Sequence, residues 1–202
     1  GAPEVLTLIL DRSASMQTRA GENAKSKRER ALKAFAEFAK PWTESRLVLV
    51  DTALREPVIL SDLSTLSDEA MERYLGPTDT SANLPATLET TLDWLEENGV
   101  ATAEIVIASD LQESNWRPEG SEDAYQRIAK VFAAKEDSWR TRLLALEGDA
   151  SANTSLLGEN LARRKEKIDL LALIQRRPSS SSPLRILANM DGVDSELMAD
   201  FT

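Results

Sequence analysis

The chain has 202 residues, of which 42% are hydrophobic and 29% are charged, and its formal net charge at pH 7 is −10. These proportions are typical of a soluble protein with a sizeable core, and the negative charge predicts that neither nucleic acid nor an anionic membrane surface is a partner. The sequence has no Cys and no His, which excludes Ser-His-Asp catalysis, cysteine nucleophiles and zinc sites built from imidazole or thiolate, so any metal must be held by oxygen.

Apolar strands alternate with amphipathic helices through the first 150 residues. In chain order, the predicted elements are a strand at 5–10, a helix at about 25–40, a strand at 46–51, an antiparallel edge strand at 56–60, a short helix at 67–75, a helix from 84 that ends at Asn98-Gly99, a strand at 103–110, a helix capped by Ser121 and a strand at 142–146. This order predicts an α/β domain at residues 1–150 with a doubly wound, mostly parallel, Rossmann-like sheet flanked by helices.

Residues 151–202 follow a different pattern. The segment 184–190 alternates apolar and polar residues, which favours a strand, and Asp191-Gly192 is a turn signal. A Pro- and Ser-rich loop at 178–183 precedes it. The segment 156–177 fits either a helix or a loop followed by a strand, and we favour strand for its second half. We predict a β-rich C-terminal extension, with a β-hairpin that opens a further module.

Oxygen-bearing side chains occur where several predicted strands and loops reach one edge of the sheet. Asp11, Ser13 and Ser15 follow the first strand at spacing i, i+2, i+4, and Asp110 ends a later strand. Ligands bind at the carboxyl ends of strands in open α/β sheets. A carboxylate with small hydroxyls suits a hard cation such as Mg²⁺. Asp51 also ends a strand, and we interpret it as a turn residue rather than a ligand.

Asp-x-Ser-x-Ser at 11–15, Leu-Gly-Pro-Thr-Asp-Thr-Ser at 75–81 and the strand-end Asp110 resemble the three motifs of the von Willebrand factor A family, over about residues 4–147. The resemblance implies a metal-ion-dependent adhesion site (MIDAS) for Mg²⁺, or for Mn²⁺ or Ca²⁺. The implied ligands, direct or through water, are Asp11, Ser13, Ser15, Thr78 and Asp110. Thr80 is the alternative to Thr78.

Two features differ from the pattern of that family. The third motif lacks Gly-Gly-Thr, and alignment by helix phase places Ala82 at the Thr position instead. The last motif reads Ser109-Asp110-Leu111 rather than Thr-Asp-Gly. Both differences bear on metal binding rather than on the fold.

The phrases at 11–16 and 109–116 also resemble bacterial membrane proteins of the aerotolerance-regulator (Bat) type, which join this kind of domain to membrane segments. That resemblance implies that the parent protein is membrane-anchored and that this domain lies in solution on one side of the membrane. We interpret the opening Gly1-Ala2-Pro3 as the start of an excised fragment that makes no direct membrane contact.

We therefore expect a non-enzymatic module that binds a divalent cation and captures an acidic side chain of a protein partner. Two alternatives are a metal-free structural platform and phosphoryl transfer on Asp11, although Ser13 stands where a dehalogenase-type site needs a second Asp. We interpret the basic cluster of Lys25, Lys27, Arg28, Arg30 and Lys33 as a solvated helix face rather than a phosphate-binding patch. Trp116 is either an exposed anchor for a partner or a cover for the sheet edge.

Overall fold

The computed structural model describes residues 1–19, 23–66, 75–76, 78–146, 153–164, 167–177, 184–190 and 193–199. Contacts divide the chain into two compact units, residues 1–148 and 149–202. The predicted short helix at 67–75 lies outside the described residues except for Leu75. Within the described ranges, no helix combines the length and the apolar character that a membrane crossing requires.

The first unit is built around one five-stranded sheet. Its strands are β1 (Val5–Leu10), β2 (Arg46–Asp51), β3 (Val58–Leu60), β4 (Ala103–Ser109) and β5 (Trp139–Ala145), and its helices are α1 (Lys27–Ala39), α2 (Leu84–Glu97), α3 (Glu113–Trp116) and α4 (Glu122–Ala134). Short 3₁₀ turns cover Ala14–Gln17 and Leu63–Leu66. The strand order is β3-β2-β1-β4-β5, and all pairs are parallel except β2–β3. The predicted α/β fold is confirmed.

The three central strands β1, β2 and β4 are buried on both faces, as their continuous apolar runs require, whereas the edge strands β3 and β5 are largely exposed. One face packs against α1, through residues that include Leu8 and Phe35. The other face packs against α2 and α4, through residues that include Ile9 and Leu92. Every residue of β1 is buried. The central strand therefore holds its carboxyl end rigidly at the middle of the sheet edge.

A capping box fixes the start of α1. The Ser26 hydroxyl accepts a hydrogen bond from the Glu29 N–H, and the Glu29 carboxylate accepts one from the Ser26 N–H. Two of the amide groups that a helix start leaves unpaired are thereby satisfied. Burial raises the pKa of Glu29, but the hydrogen bonds from Ser26 and the nearby charges of Arg19 and Arg28 outweigh it and lower the pKa below its ordinary value.

Several details of the first unit differ from the sequence predictions. Strand β5 begins at Trp139 rather than at 142, because Trp139 is buried and pairs with Ala103. Ser121 does precede α4, but its side chain makes no capping hydrogen bond. The solvated-face interpretation is wrong for Arg28, which is buried and donates a hydrogen bond to the Leu75 carbonyl.

The described residues of the second unit form two antiparallel strand pairs. Strand β6 (Asn153–Arg164) pairs with β7 (Lys167–Arg177), and β8 (Leu184–Met190) pairs with β9 (Val193–Ala199). The strand predicted at 184–190 is confirmed. The segment 156–177, for which the sequence left helix or strand open, is strand wherever it is described. Residues 165–166, the predicted loop at 178–183 and the predicted turn at 191–192 lie outside the described residues. That these strands open a further module stays a prediction.

We expect Glu29→Gln to lower the free energy of unfolding by about 0.5–1 kcal/mol at pH 7, because Gln can keep the capping-box hydrogen bond but removes the negative charge at the start of α1 and beside Arg19. Because the pKa of Glu29 is lower in the folded than in the unfolded chain, its ionised form stabilises the fold above the unfolded pKa, and this stability is lost as the pH falls through the folded pKa. Urea unfolding from pH 7 to pH 3 should show the difference shrink. An equal deficit at both pH values, or in the exposed control Glu97→Gln, would contradict this.

Candidate metal centre

The candidate site lies where the strand order of the sheet reverses. From β1 the chain builds β2 and β3 on one side and β4 and β5 on the other, and such a switch point is where open α/β sheets bind ligands. Asp11 follows β1 and Asp110 follows β4, so the two carboxylates come from the strands that flank the switch point.

The Asp11 carboxylate is the buried centre of this edge. Its side chain is fully buried, with Oδ1 accepting the Ser13 N–H at 2.9 Å and Oδ2 accepting the Ser109 hydroxyl at 2.7 Å. The first bond folds the 11–15 loop into a tight turn, and the second ties β1 to the end of β4. Asp11 thus shapes the loop that carries the two serines.

The Ser13 and Ser15 hydroxyls lie together on that turn, with their Oγ atoms 3.1 Å apart. Asn115, from α3, donates from Nδ2 to Ser13 Oγ at 3.1 Å and accepts the Ala82 N–H on its Oδ1 at 3.1 Å. Asn115 therefore joins the serine turn to the segment that precedes α2.

Thr78 brings a third segment to the same place. Its hydroxyl donates to the Arg12 carbonyl and lies 3.0 Å from the Thr80 hydroxyl. Ala82 contributes a backbone N–H to Asn115 instead. The structure thus places Thr78 against the residue that precedes Ser13, with Thr80 beside it.

Two buried guanidinium groups hold the chain that leads to Thr78. Arg12 donates to the Gly76 carbonyl at 2.9 Å and pairs with Asp51 at 3.0 Å, and Arg28 donates to the Leu75 carbonyl. Both bonds end on carbonyls within three residues of Thr78. Asp51 also accepts the N–H groups of residues 53 and 54, so its interpretation as a turn residue is confirmed.

Asp110 is the strand-end carboxylate with an oxygen that makes no hydrogen bond within the described residues. Its side chain is 0% exposed, and its Oδ2 lies 2.8 Å from Nζ of Lys27, whose side chain is 12% exposed. Asp110 Oδ1 is buried and has no hydrogen-bond partner among the described residues. The solvated-face interpretation is therefore wrong for Lys27 as well.

The residue after Asp110 is held in an unusual backbone conformation. Leu111 has a φ of 62°, in the left-handed region that glycine adopts most easily. Its N–H donates to Ser109 Oγ at 3.1 Å, and Trp116 Nε1 donates to the same oxygen at 3.2 Å. Trp116 is partly buried against the core, which favours the interpretation in which it covers the sheet edge, although it also lines a surface pocket.

The donor set fits a hard cation. Within the described ranges no group of three or more Asp, Glu, His or Cys could hold a metal, so a site here must rely on Ser and Thr hydroxyls as well as carboxylates. The hydroxyls of Ser13, Ser15 and Thr78 are small oxygen donors of the kind that suits Mg²⁺. The unpartnered oxygen of Asp110 adds a buried anionic donor.

Sequence reasoning missed three residues of this network, Asn115, Lys27 and Ser109. Asn115 and Lys27 lie 102 and 83 residues from their partners Ser13 and Asp110. Their residue types occur on any solvated helix, and no spacing in the sequence marks them. Ser109 could have been identified, because its hydroxyl directly precedes Asp110 at the carboxyl end of a predicted strand, the edge where the other candidate residues lie.

Comparison with known proteins gives one family match. The model of the von Willebrand factor type A domain matches residues 6–113, just over half of the chain. The matched range runs from β1 to the first residue of α3, and it includes Asp11, Thr78 and Asp110. Among curated proteins, none matches this chain.

We expect Ser109→Ala to lower the free energy of unfolding by about 1–3 kcal/mol, because it removes the hydroxyl that donates to the buried Asp11 and accepts from Trp116. The matched control is Ser121→Ala, since that hydroxyl makes no capping bond, and it should change stability by less than about 0.5 kcal/mol. Urea denaturation measures both. Equal effects of the two substitutions would contradict the role given to Ser109.

Proposed function

Since the chain belongs to the von Willebrand factor type A domain family, we propose that it binds a divalent cation, Mg²⁺ or else Mn²⁺ or Ca²⁺, through a MIDAS-type site and captures an acidic side chain of a protein partner. Domains of this family are typically protein-interaction modules. The proposed activity is binding, without catalysis.

The observation that carries this proposal is the unpartnered Oδ1 of Asp110. A buried carboxylate oxygen without a partner is costly, because desolvation is not offset by a hydrogen bond. Such a group in a native structure calls for an explanation, and a bound ion is one of those that occur. A cation held by this oxygen together with the hydroxyls of Ser13, Ser15 and Thr78 would satisfy it.

The neutral ligands explain why an acidic partner is the expected one. Asp11 is already engaged by two internal donors, so much of the donor set consists of uncharged hydroxyls. A divalent cation bound among them would keep part of its positive charge and attract a further carboxylate. The chain carries a net charge of −10, so this attraction would be local to the site rather than a property of the whole surface.

An apolar rim beside Asp110 supports a protein partner. Leu111 is 45% exposed and Leu143 is 52% exposed. Together with Trp116 and Arg117 they line one shallow surface pocket. Exposed apolar side chains next to an anchoring site are typical of surfaces that bind proteins, and they would give contact area beyond the single carboxylate.

A metal-free platform remains the second candidate, and the observation that favours it is the ion pair between Lys27 and Asp110. The Lys27 ammonium already supplies a positive charge to that carboxylate. For the third alternative, phosphoryl transfer, Asp11 would have to act as a nucleophile. Its full burial and its two internal hydrogen bonds support a structural role instead. The Bat-type, membrane-anchored parent stays a prediction.

We expect calorimetry to show Mg²⁺ binding by the native chain and its loss, by tenfold or more (about 1.4 kcal/mol), in Ser13→Ala/Ser15→Ala, because two ligand hydroxyls are removed. The control is Ser61→Ala/Ser64→Ala, which removes two exposed hydroxyls around Asp62 after β3 and should bind as native. No binding heat in the native chain, or native affinity in the first variant, would end the metal proposal.

For the partner, we expect a displayed peptide library selected with Mg²⁺ to be enriched in Asp or Glu, and the enrichment to disappear with EDTA. Leu111→Ser should weaken the selected peptides without changing Mg²⁺ affinity, because only the rim is altered. Ile59→Ser is the control, since Ile59 is 58% exposed on the distant edge strand β3. Peptides selected equally well in EDTA would point to the metal-free platform.

A further inference from the structure

We infer that Lys27 is a built-in competitor of the metal at Asp110 and thereby sets the metal affinity of the site; this inference rests on the proposed function. Nζ of Lys27 lies 2.8 Å from Asp110 Oδ2, and both side chains are largely or fully buried. At that distance an ammonium and a carboxylate form a strong pair in a poorly solvated place.

The backbone of Lys27 is fixed at the start of α1. Lys27 is the first residue of this helix, directly after the cap residue Ser26. Its N–H donates to the Thr18 carbonyl at 3.1 Å, so the loop after the serine turn and the helix start hold it from both sides. The ammonium is thus presented to Asp110 by the same segment that follows Ser13 and Ser15.

The ion pair with Lys27 engages only one of the two Asp110 carboxylate oxygens. Oδ2 is taken by Lys27, while Oδ1 is buried without a partner among the described residues. A cation that approaches Oδ1 would meet the positive charge of Lys27 on the same carboxylate, and two positive charges a few ångströms apart repel. Lys27 must therefore weaken the binding of any cation at Asp110.

The Lys27 ammonium can also move from Asp110 into solvent. Its side chain is 12% exposed, and a lysine stem of four methylene groups can carry the ammonium into water while its apolar part stays in place. The pair then keeps Asp110 neutralised when no metal is bound, and metal binding releases the ammonium. The affinity of the site is the balance between these two cations.

Mg²⁺ titration by calorimetry on the native chain, Lys27→Met and Lys33→Met tests this. Lys33 is an exposed residue of the same helix, so its variant removes the same charge away from the site. Lys27→Met should bind Mg²⁺ about tenfold more tightly than both others. Without Mg²⁺ its melting temperature should fall, because Asp110 loses its counter-ion, and Mg²⁺ should restore it.

Equal or weaker Mg²⁺ binding by Lys27→Met would overturn the inference while leaving the proposed metal site intact. Binding by Lys27→Met alone would support the inference and show that the native chain is a metal-free platform. Absence of binding in all three chains would overturn both proposals.

A second measurement needs no substitution, in case Lys27→Met fails to fold. The native chain is acetylated with an amine-reactive ester with and without MgCl₂ at matched ionic strength, and modification of Lys27 and Lys33 is followed by mass spectrometry. Mg²⁺ should speed the modification of Lys27 and leave Lys33 unchanged. No change at Lys27 would overturn the inference.

Discussion

The arrangement of the loops at the carboxyl edge of this sheet depends on one buried carboxylate, that of Asp11, and on the hydrogen bonds that stabilise it. Asp11 is bound by a backbone N–H from its own loop and by the hydroxyl of Ser109 from the neighbouring strand. A buried charge without such donors would cost several kcal/mol, so both segments must come to it for the chain to fold. The serine turn is therefore positioned by the stability of the sheet itself, before any ligand is present.

The second constraint is the way the loop that bears Thr78 is fastened. Arg12 and Arg28 are buried cations from two different segments, and both donate to carbonyls of residues 75 and 76. Guanidinium groups suit this task because they stay charged and offer several donors in a fixed plane. Arg12 also pairs with Asp51, which links the end of β2 to the same loop. The hydroxyl-bearing loops are thus held by one ion pair and by hydrogen bonds from guanidinium groups to backbone carbonyls.

Most of the fold was predictable because the signals are local. The apolar run at 5–10, the stop at Asn98-Gly99 and the strand-end Asp residues each specify their element without reference to the rest of the chain. The contacts that decide the chemistry are not local. Lys27 looks like a solvated residue because its helix position is polar in sequence, and only the fold brings the start of α1 to Asp110 at the end of β4. Asn115 was missed for the same reason. The start of β5 was placed three residues late because the polar residues Arg140 and Thr141 mask the buried Trp139.

The three strand-end carboxylates differ in how far hydrogen bonds and ion pairs within the chain engage their oxygens. Asp11 has both oxygens occupied by neutral donors, and Asp51 is occupied by Arg12 and by two turn amides. Asp110 alone of the three holds an oxygen with no partner among the described residues. Position at a strand end is common to all of them, and so is burial. What distinguishes Asp110 is a carboxylate oxygen that makes no hydrogen bond within the described residues. The next residue, Leu111, has a positive φ, so backbone strain occurs directly beside this oxygen.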